Sequence, residues 1–214
     1  MNKKTPFVDG EFYHIYNRGV DKRQIFLNRA DFDRFLQSII IFNTKEPVGS
    51  ILEYSFHRKI GRPMSKSRLV DIICYCLNPN HFHLLLKQRE NGGLGEFIRR
   101  VGSGYTKYFN HKNKRSGVLF QGGSKSVHID SNEYLLHASA YINLNNKAHR
   151  LQSHLFQSSW EEYLNPSMQS LCAKGIILKQ FKNSHEYKNF AEASLYDILE
   201  RKERTTELQK ILLE

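Results

Sequence analysis

Little in this chain suits it to an oxidising compartment or a membrane. Its 214 residues contain only three cysteines, Cys74, Cys76 and Cys172. An odd and sparse set builds no disulfide frame and points to reduced thiols in a cytoplasmic protein. No apolar run approaches the roughly 18 residues of a membrane span. The start, Met1-Asn2-Lys3-Lys4-Thr5-Pro6, lacks the apolar stretch of a signal peptide. Internal repeats and low-complexity tracts are missing too, so one domain with an appendage fits the length. Acidic residues are in deficit, 21 against 32 Lys and Arg, for a net charge of +11. A chain this basic usually meets a polyanion, most often nucleic acid. The plainer reading is a solubilising surface charge.

What is present reads as alternating strands and helices. Glu11 to Tyr16 is an aromatic and β-branched run, stopped by Asn17-Arg18-Gly19, and predicts a first strand. Phe32, Phe35, Leu36 and Ile39 recur at helical spacing within residues 29–42. Residues 43–68 show no period and carry Arg58, Lys59, Arg62, Lys66 and Arg68, a basic excursion with a short strand expected at Ile51 to Phe56. Leu69 to Leu77 is apolar nearly throughout, as in a central strand covered on both faces. Asn78-Pro79-Asn80 turns the chain and His81 to Lys87 returns as the next strand. A helical stripe of Leu94, Phe97, Ile98, Val101, Tyr105 and Tyr108 follows. Gly102 and Gly104 weaken that helix by about 1 kcal/mol each, which marks them for close approach of another backbone. His111 to Gly117 is a basic loop. Val118 to Phe120 and Lys125 to Ile129 look extended. Asp130-Ser131-Asn132-Glu133 is an N-cap signal with a glutamate placed as in a capping box, opening a helix to about Asn145. The order predicts an α+β fold, a ferredoxin-like βαββαβ sandwich with an antiparallel sheet and helices on one face. Residues 7–150 form the expected domain, and 151–214 a helical C-terminal extension.

The strand opening at His81 carries the first chemistry. His81 and His83, two apart, project from one face of a strand and can serve one metal ion. Two buried, hydrogen-bonded histidines would look the same. A third ligand is available on the helix ending near Asn145. Tyr141 and Asn145 are four apart, hence on one helical face. An amide oxygen beside imidazoles suits Mg²⁺ or Mn²⁺, and a tyrosine hydroxyl one turn away places a nucleophile beside that ion. Tyr196 with Glu200 at i+4 is a rival by spacing, but it lies in the charged tail. Cys74 and Cys76 with the two histidines offer a zinc reading. Only one residue separates the cysteines, inside an apolar strand, where zinc knuckles favour two.

Five motifs in order then match a known family. They are Tyr13-His14-Ile15-Tyr16-Asn17-Arg18-Gly19, Asn80-His81-Phe82-His83-Leu84-Leu85, Tyr105-Thr106-Lys107-Tyr108-Phe109-Asn110, Ser116 to Gly122, and Tyr141-Ile142-Asn143-Leu144-Asn145. The chain resembles the single-tyrosine HUH transposases of the insertion-sequence type, most closely the REP-associated tyrosine transposases. The resemblance runs from about residue 7 to 150. It implies that His81 and His83 are metal ligands, Asn145 the third ligand and Tyr141 the nucleophile. It implies Mg²⁺ or Mn²⁺, single-stranded DNA carrying a hairpin, a 5′-phosphotyrosine intermediate, and a monomer or homodimer associated with the nucleoid. Two departures stand out: Gly123-Ser124 where relatives have a basic residue, and Asn146-Lys147 where many have Pro-Val. Arg18, Arg99, Arg100, Lys107, Lys114, Arg115 and Lys125 are candidates for tracking phosphates. The rival readings are a non-catalytic single-strand binder on the same sandwich, a replication initiator or relaxase, and a domesticated transposase.

Overall fold

The computed structural model describes residues 6–59, 67–148 and 155–211, with side chains not described for Arg58 and for 201–211. Residues 60–66 of the basic excursion lie outside the described residues.

Strand β1 (Phe12–Arg18) alternates buried and half-buried positions. Its Tyr13 and Ile15 enter one apolar core, while Phe12 packs against another. After a short 3-10 turn at Val20–Lys22 come α1 (Arg29–Ile41) and α2 (Ile51–Lys59). The strand expected at Ile51 to Phe56 is therefore a helix. Ser50 Oγ accepts from Glu53 N at 3.0 Å, a capping bond that opens a helix. Strands β2 (Val70–Asn78) and β3 (His81–Gln88) form a hairpin about Pro79-Asn80. Helix α3 (Gly93–Lys112) leads to β4 (Lys125–Ile129), then α4 (Asn132–Asn143) and the short α5 (Asn145–Ala148). A two-residue β5 (Gln157–Ser158), α6 (Trp160–Leu164), α7 (Gly175–Leu178) and the long α8 (Ser184–Ile211) complete the chain.

The sheet order is β4-β1-β3-β2-β5, antiparallel throughout. Its first four members give the 4-1-3-2 arrangement of the expected sandwich, and β5 adds a short fifth strand beside β2. Helices cover both faces, which corrects the one-faced expectation. Helices α1 and α3 cover Ile15, Phe82, Leu84 and Leu86. Helices α4 and α8 cover Ile73, Cys74, Cys76 and Leu85. The reason lies in β2 and β3: both carry buried apolar side chains on either face, so a bare second face would leave them in water. Tyr187, Ala191 and Leu195 of α8 sit in this second core.

Three local expectations need amending. The α4 cap is Ser131, whose Oγ accepts from Tyr134 N at 3.2 Å, so Glu133 does not close a capping box. The helix predicted to run through Asn145 breaks at Leu144 (φ −107°, ψ 16°) and restarts at Asn145. Gly104 is indeed needed for close approach, but to a side chain: a Cβ there would stand 2.5 Å from the Phe42 ring, whereas one at Gly102 would meet open space.

Candidate metal and nucleophile site

A β-bulge in β2 composes the site's face. Ile72 pairs with Leu86 and Cys74 with Leu85, so Ile73 is the extra residue. Before it, Val70 and Ile72 face the α1–α3 core; after it, Cys74, Cys76 and Asn78 face the other side. Asn78 thereby stands directly opposite His81, and Cys76 opposite His83. On β1, Tyr16 pairs with His83.

The hairpin turn is anchored from outside. Gly19 N donates to Asn80 O at 2.8 Å, and Ile25 N and Phe26 N to Pro79 O at 2.7 and 3.0 Å. His81 Nδ1 lies 2.6 Å from Asn80 Oδ1. A carbonyl oxygen only accepts, so Nδ1 carries the proton and Nε2 presents its lone pair. That lone pair receives Asn78 Nδ2 at 2.9 Å and lies 3.2 Å from Asn145 Oδ1. Asn78 Nδ2 also donates to Asn145 Oδ1 at 2.8 Å. Two lone-pair atoms 3.2 Å apart have no reason to face each other unless something positive lies between or beside them. Here the amide N–H₂ of Asn78 does, and a divalent cation suits the same atoms. Asn145 is fully buried, and its Oδ1 is held against Asn78 Nδ2 and His81 Nε2.

His83, also buried, shares one proton with His14 across 2.8 Å, from Nδ1 to His14 Nε2. The Tyr16 ring stacks on His83 at 5.6 Å between centroids. Burial pushes the His14 imidazole down to about 4, so His14 is uncharged at neutral pH. Tyr141 presents its ring edge-on to His83 at 5.9 Å and to His14 at 6.3 Å. Burial raises its hydroxyl above the ordinary tyrosine range, while the Asn145 amide pulls it back. This phenol needs help to ionise.

Around these groups opens a cavity of about 570 Å³, lined by Tyr16, Asn17, Arg18, Lys22, Asn80, His81, His83, Gln121, Lys125 and Tyr141. The structure thus brings His81, His83, Tyr141 and Asn145 together, with Arg18 and Lys125 at the rim. Arg18 Nε donates to Gln121 Oε1, and Asn17 Nδ2 to Gly122 O at 3.2 Å, which pins the Gln121–Ser124 loop to β1. The other predicted cations lie elsewhere. Arg99, Arg100 and Lys107 sit on α3, across the sheet, lining a separate cleft of about 440 Å³ with Arg34 and Tyr108. Arg99 and Arg100 both pair with Glu96, and Arg100 also donates to Thr44 O at 2.6 Å. Arg115 ties its own loop through Asn110 Oδ1 and Val118 O, and Lys114 also falls outside the cavity lining. Sequence reasoning missed His14, Tyr16, Asn78, Lys22 and Gln121 as site residues. The period-2 register of β1 could have found His14 and Tyr16; Lys22 depends on two successive left-handed residues, Asp21 (φ 54°) and Lys22 (φ 57°).

Burial raises both the Cys74 and Cys76 thiols, the latter to about 12, and Cys74 Sγ points to Ser139 O. Neither lines the cavity that His81 and His83 face. Tyr196 is 68 % exposed on α8 and outside the cavity lining. Among the described residues no three His, Cys, Asp or Glu side chains form a metal cluster. A cation here must draw on amide oxygens as well as imidazoles.

Residues 13–145, more than half of the chain, match the family profile described as "Transposase IS200 like", and the chain belongs to that family. Two solved structures are similar in outline. One is a REP-associated tyrosine transposase bound to a REP hairpin, at 12 % identity and a TM-score of 0.49, covering 80 % of this chain and 89 % of that one. The other was described as a transposase from Deinococcus radiodurans R1, at 11 % identity and a TM-score of 0.37, covering 63 % and 91 %. No curated protein matches.

Proposed function

We propose that this transposase cuts and rejoins single-stranded DNA at hairpin-flanked sites through a 5′-phosphotyrosine. Tyr141 is the nucleophile. His81, His83 and Asn145 hold Mg²⁺ or Mn²⁺, which when bound supplies a Lewis acid for the scissile phosphate. The observation supporting this most is that Tyr141 and the two imidazoles line one cationic cavity, with the Asn145 oxygen 3.2 Å from His81 Nε2.

Tyr141 Oη attacks phosphorus in line and gives up its proton to water, the bond from phosphorus to the 3′-oxygen breaks, and that oxygen takes up a proton from water. The DNA leaves with a 3′-hydroxyl, and the 5′-phosphate stays on Tyr141. Attack by another strand's 3′-hydroxyl reverses the step, re-forms a phosphodiester and returns the proton to Tyr141, with no external energy source. His14 and Asn80 hold the imidazoles in orientation, and edge contacts to His83 and His14 fix the Tyr141 ring. Arg18, Lys22 and Lys125 at the cavity rim guide phosphates. The catalytic unit is residues 7–150, with 151–214 as its helical extension. No helix among the described residues is long and apolar enough to cross a membrane, and a cytoplasmic, nucleoid-associated enzyme fits a DNA substrate.

The test is incubation with labelled single-stranded hairpin DNA from the gene's own flanks and Mn²⁺, followed by a denaturing gel. A covalent band absent in Tyr141→Phe and retained in Tyr196→Phe supports the reading. Tight, salt-sensitive binding with no adduct from any flanking hairpin would favour a non-catalytic binding module.

A further inference from the structure

We propose that Asn78 is a further metal ligand, carried on an amide that turns over when the ion enters. This rests on the metal reading above but concerns a residue outside its ligand set. Asn78 is fully buried at the end of β2, and the Ile73 bulge is what directs it to the metal face. Its outer amide atom, His81 Nε2 and Asn145 Oδ1 form a triangle with edges of 2.9, 2.8 and 3.2 Å. Ligands held about 2.1 Å from an octahedral ion stand about 3 Å from one another. The triangle therefore has the size of one face of such a coordination shell.

As placed, the N–H₂ of Asn78 occupies the triangle's third corner and satisfies both lone-pair atoms. An imidazole nitrogen has one lone pair, so a cation on His81 Nε2 must displace that N–H. A half-turn about the Cβ–Cγ bond delivers the Asn78 oxygen to the same corner and carries the N–H₂ toward Cys76 Sγ, which now contacts Asn78 Oδ1 at 3.8 Å. The exchange costs no change of side-chain volume in a buried place. With Asn145, it supplies a second hard oxygen, which favours Mg²⁺ and Mn²⁺ over softer ions.

The direct test is anomalous diffraction from crystals of the full chain grown with Mn²⁺, which needs no variant. The proposal expects Asn78 Oδ1 within about 2.4 Å of the ion. An ion bound with the Asn78 nitrogen still against Asn145 would overturn it. Mn²⁺ titration calorimetry adds a second arm, with circular dichroism confirming the fold of each variant. Asn78→Leu should lose about 10-fold or more in affinity, and Asn78→Asp should bind at least as tightly as wild type. His83→Ala separates the two claims. If it abolishes binding while Asn78→Leu binds like wild type, the Asn78 proposal fails and the metal reading stands. If wild type itself takes up no Mn²⁺, both fail.

Discussion

At the scale of single residues, the site is a set of amides and imidazoles that fix one another's protons. Asn80 matters most among the uncharged ones, because its oxygen holds the Nδ1–H of His81 and so decides which nitrogen faces the cavity. Asn80→Ala should weaken Mn²⁺ binding by about 10- to 100-fold in a calorimetric titration; an unchanged affinity would show that the tautomer is set elsewhere. This partnership is invisible in a motif, where Asn80 reads only as a turn residue. His14 was equally hidden, since its value depends on β1 lying beside β3. Glu96 gives a residue-scale pH prediction away from the chemistry. Hydrogen bonds from Arg99 and Arg100 hold its carboxyl down to about 2 from its ordinary 4.5. A depressed carboxylate contributes stability above its unfolded value, and the contribution disappears as pH falls through 4.5 toward 2. Because Glu96 is partly exposed, the effect is less than about 1 kcal/mol. The gap in unfolding free energy between wild type and Glu96→Gln should close across that window in acid titrations.

At the scale of elements, apolar runs marked the strands and helical spacing marked α1 and α3, which gave the order β1 to α4 apart from α2. What was illegible came from features that break the period. The bulge at Ile73 reverses which residues of β2 face the candidate site, and no run of apolar residues reports such a shift. Ile51 to Phe56 alternates weakly enough to read as a strand, and only the Ser50 cap argues for the helix it forms. The break at Leu144 leaves Tyr141 and Asn145 on different helices, yet their four-residue spacing still picks out two residues that the fold brings together. Helix α4 carries Tyr141, so its start bears on the site. Ser131→Ala removes the bond to Tyr134 N and should cost about 1 kcal/mol, within a range of about 0.5–2. A thermal melt reads this directly; a loss near zero would mean that tertiary packing alone fixes the helix start.

For the molecule as a whole, the sheet separates two cores and places the candidate site on the side closed by α4 and α8. Net charge alone pointed toward a polyanion partner, and the structure sorts the cations by where they stand. Arg18, Lys22 and Lys125 stand at the cavity, while Arg99, Arg100 and Lys107 lie across the sheet. Replacing Arg18 and Lys125 together by alanine should weaken single-stranded DNA binding and flatten its salt dependence. The slope of log K against log salt should fall by about 0.7 for each phosphate that is no longer neutralised; an unaltered slope would move the DNA path to another face. Of everything proposed, the covalent role of Tyr141 is the claim on which the rest turns. Mass spectrometry of the protease-digested protein–DNA adduct tests it most directly. The account predicts a nucleotide 5′-phosphate on the peptide containing Tyr141, and an adduct on Tyr196 or on any other residue would contradict it.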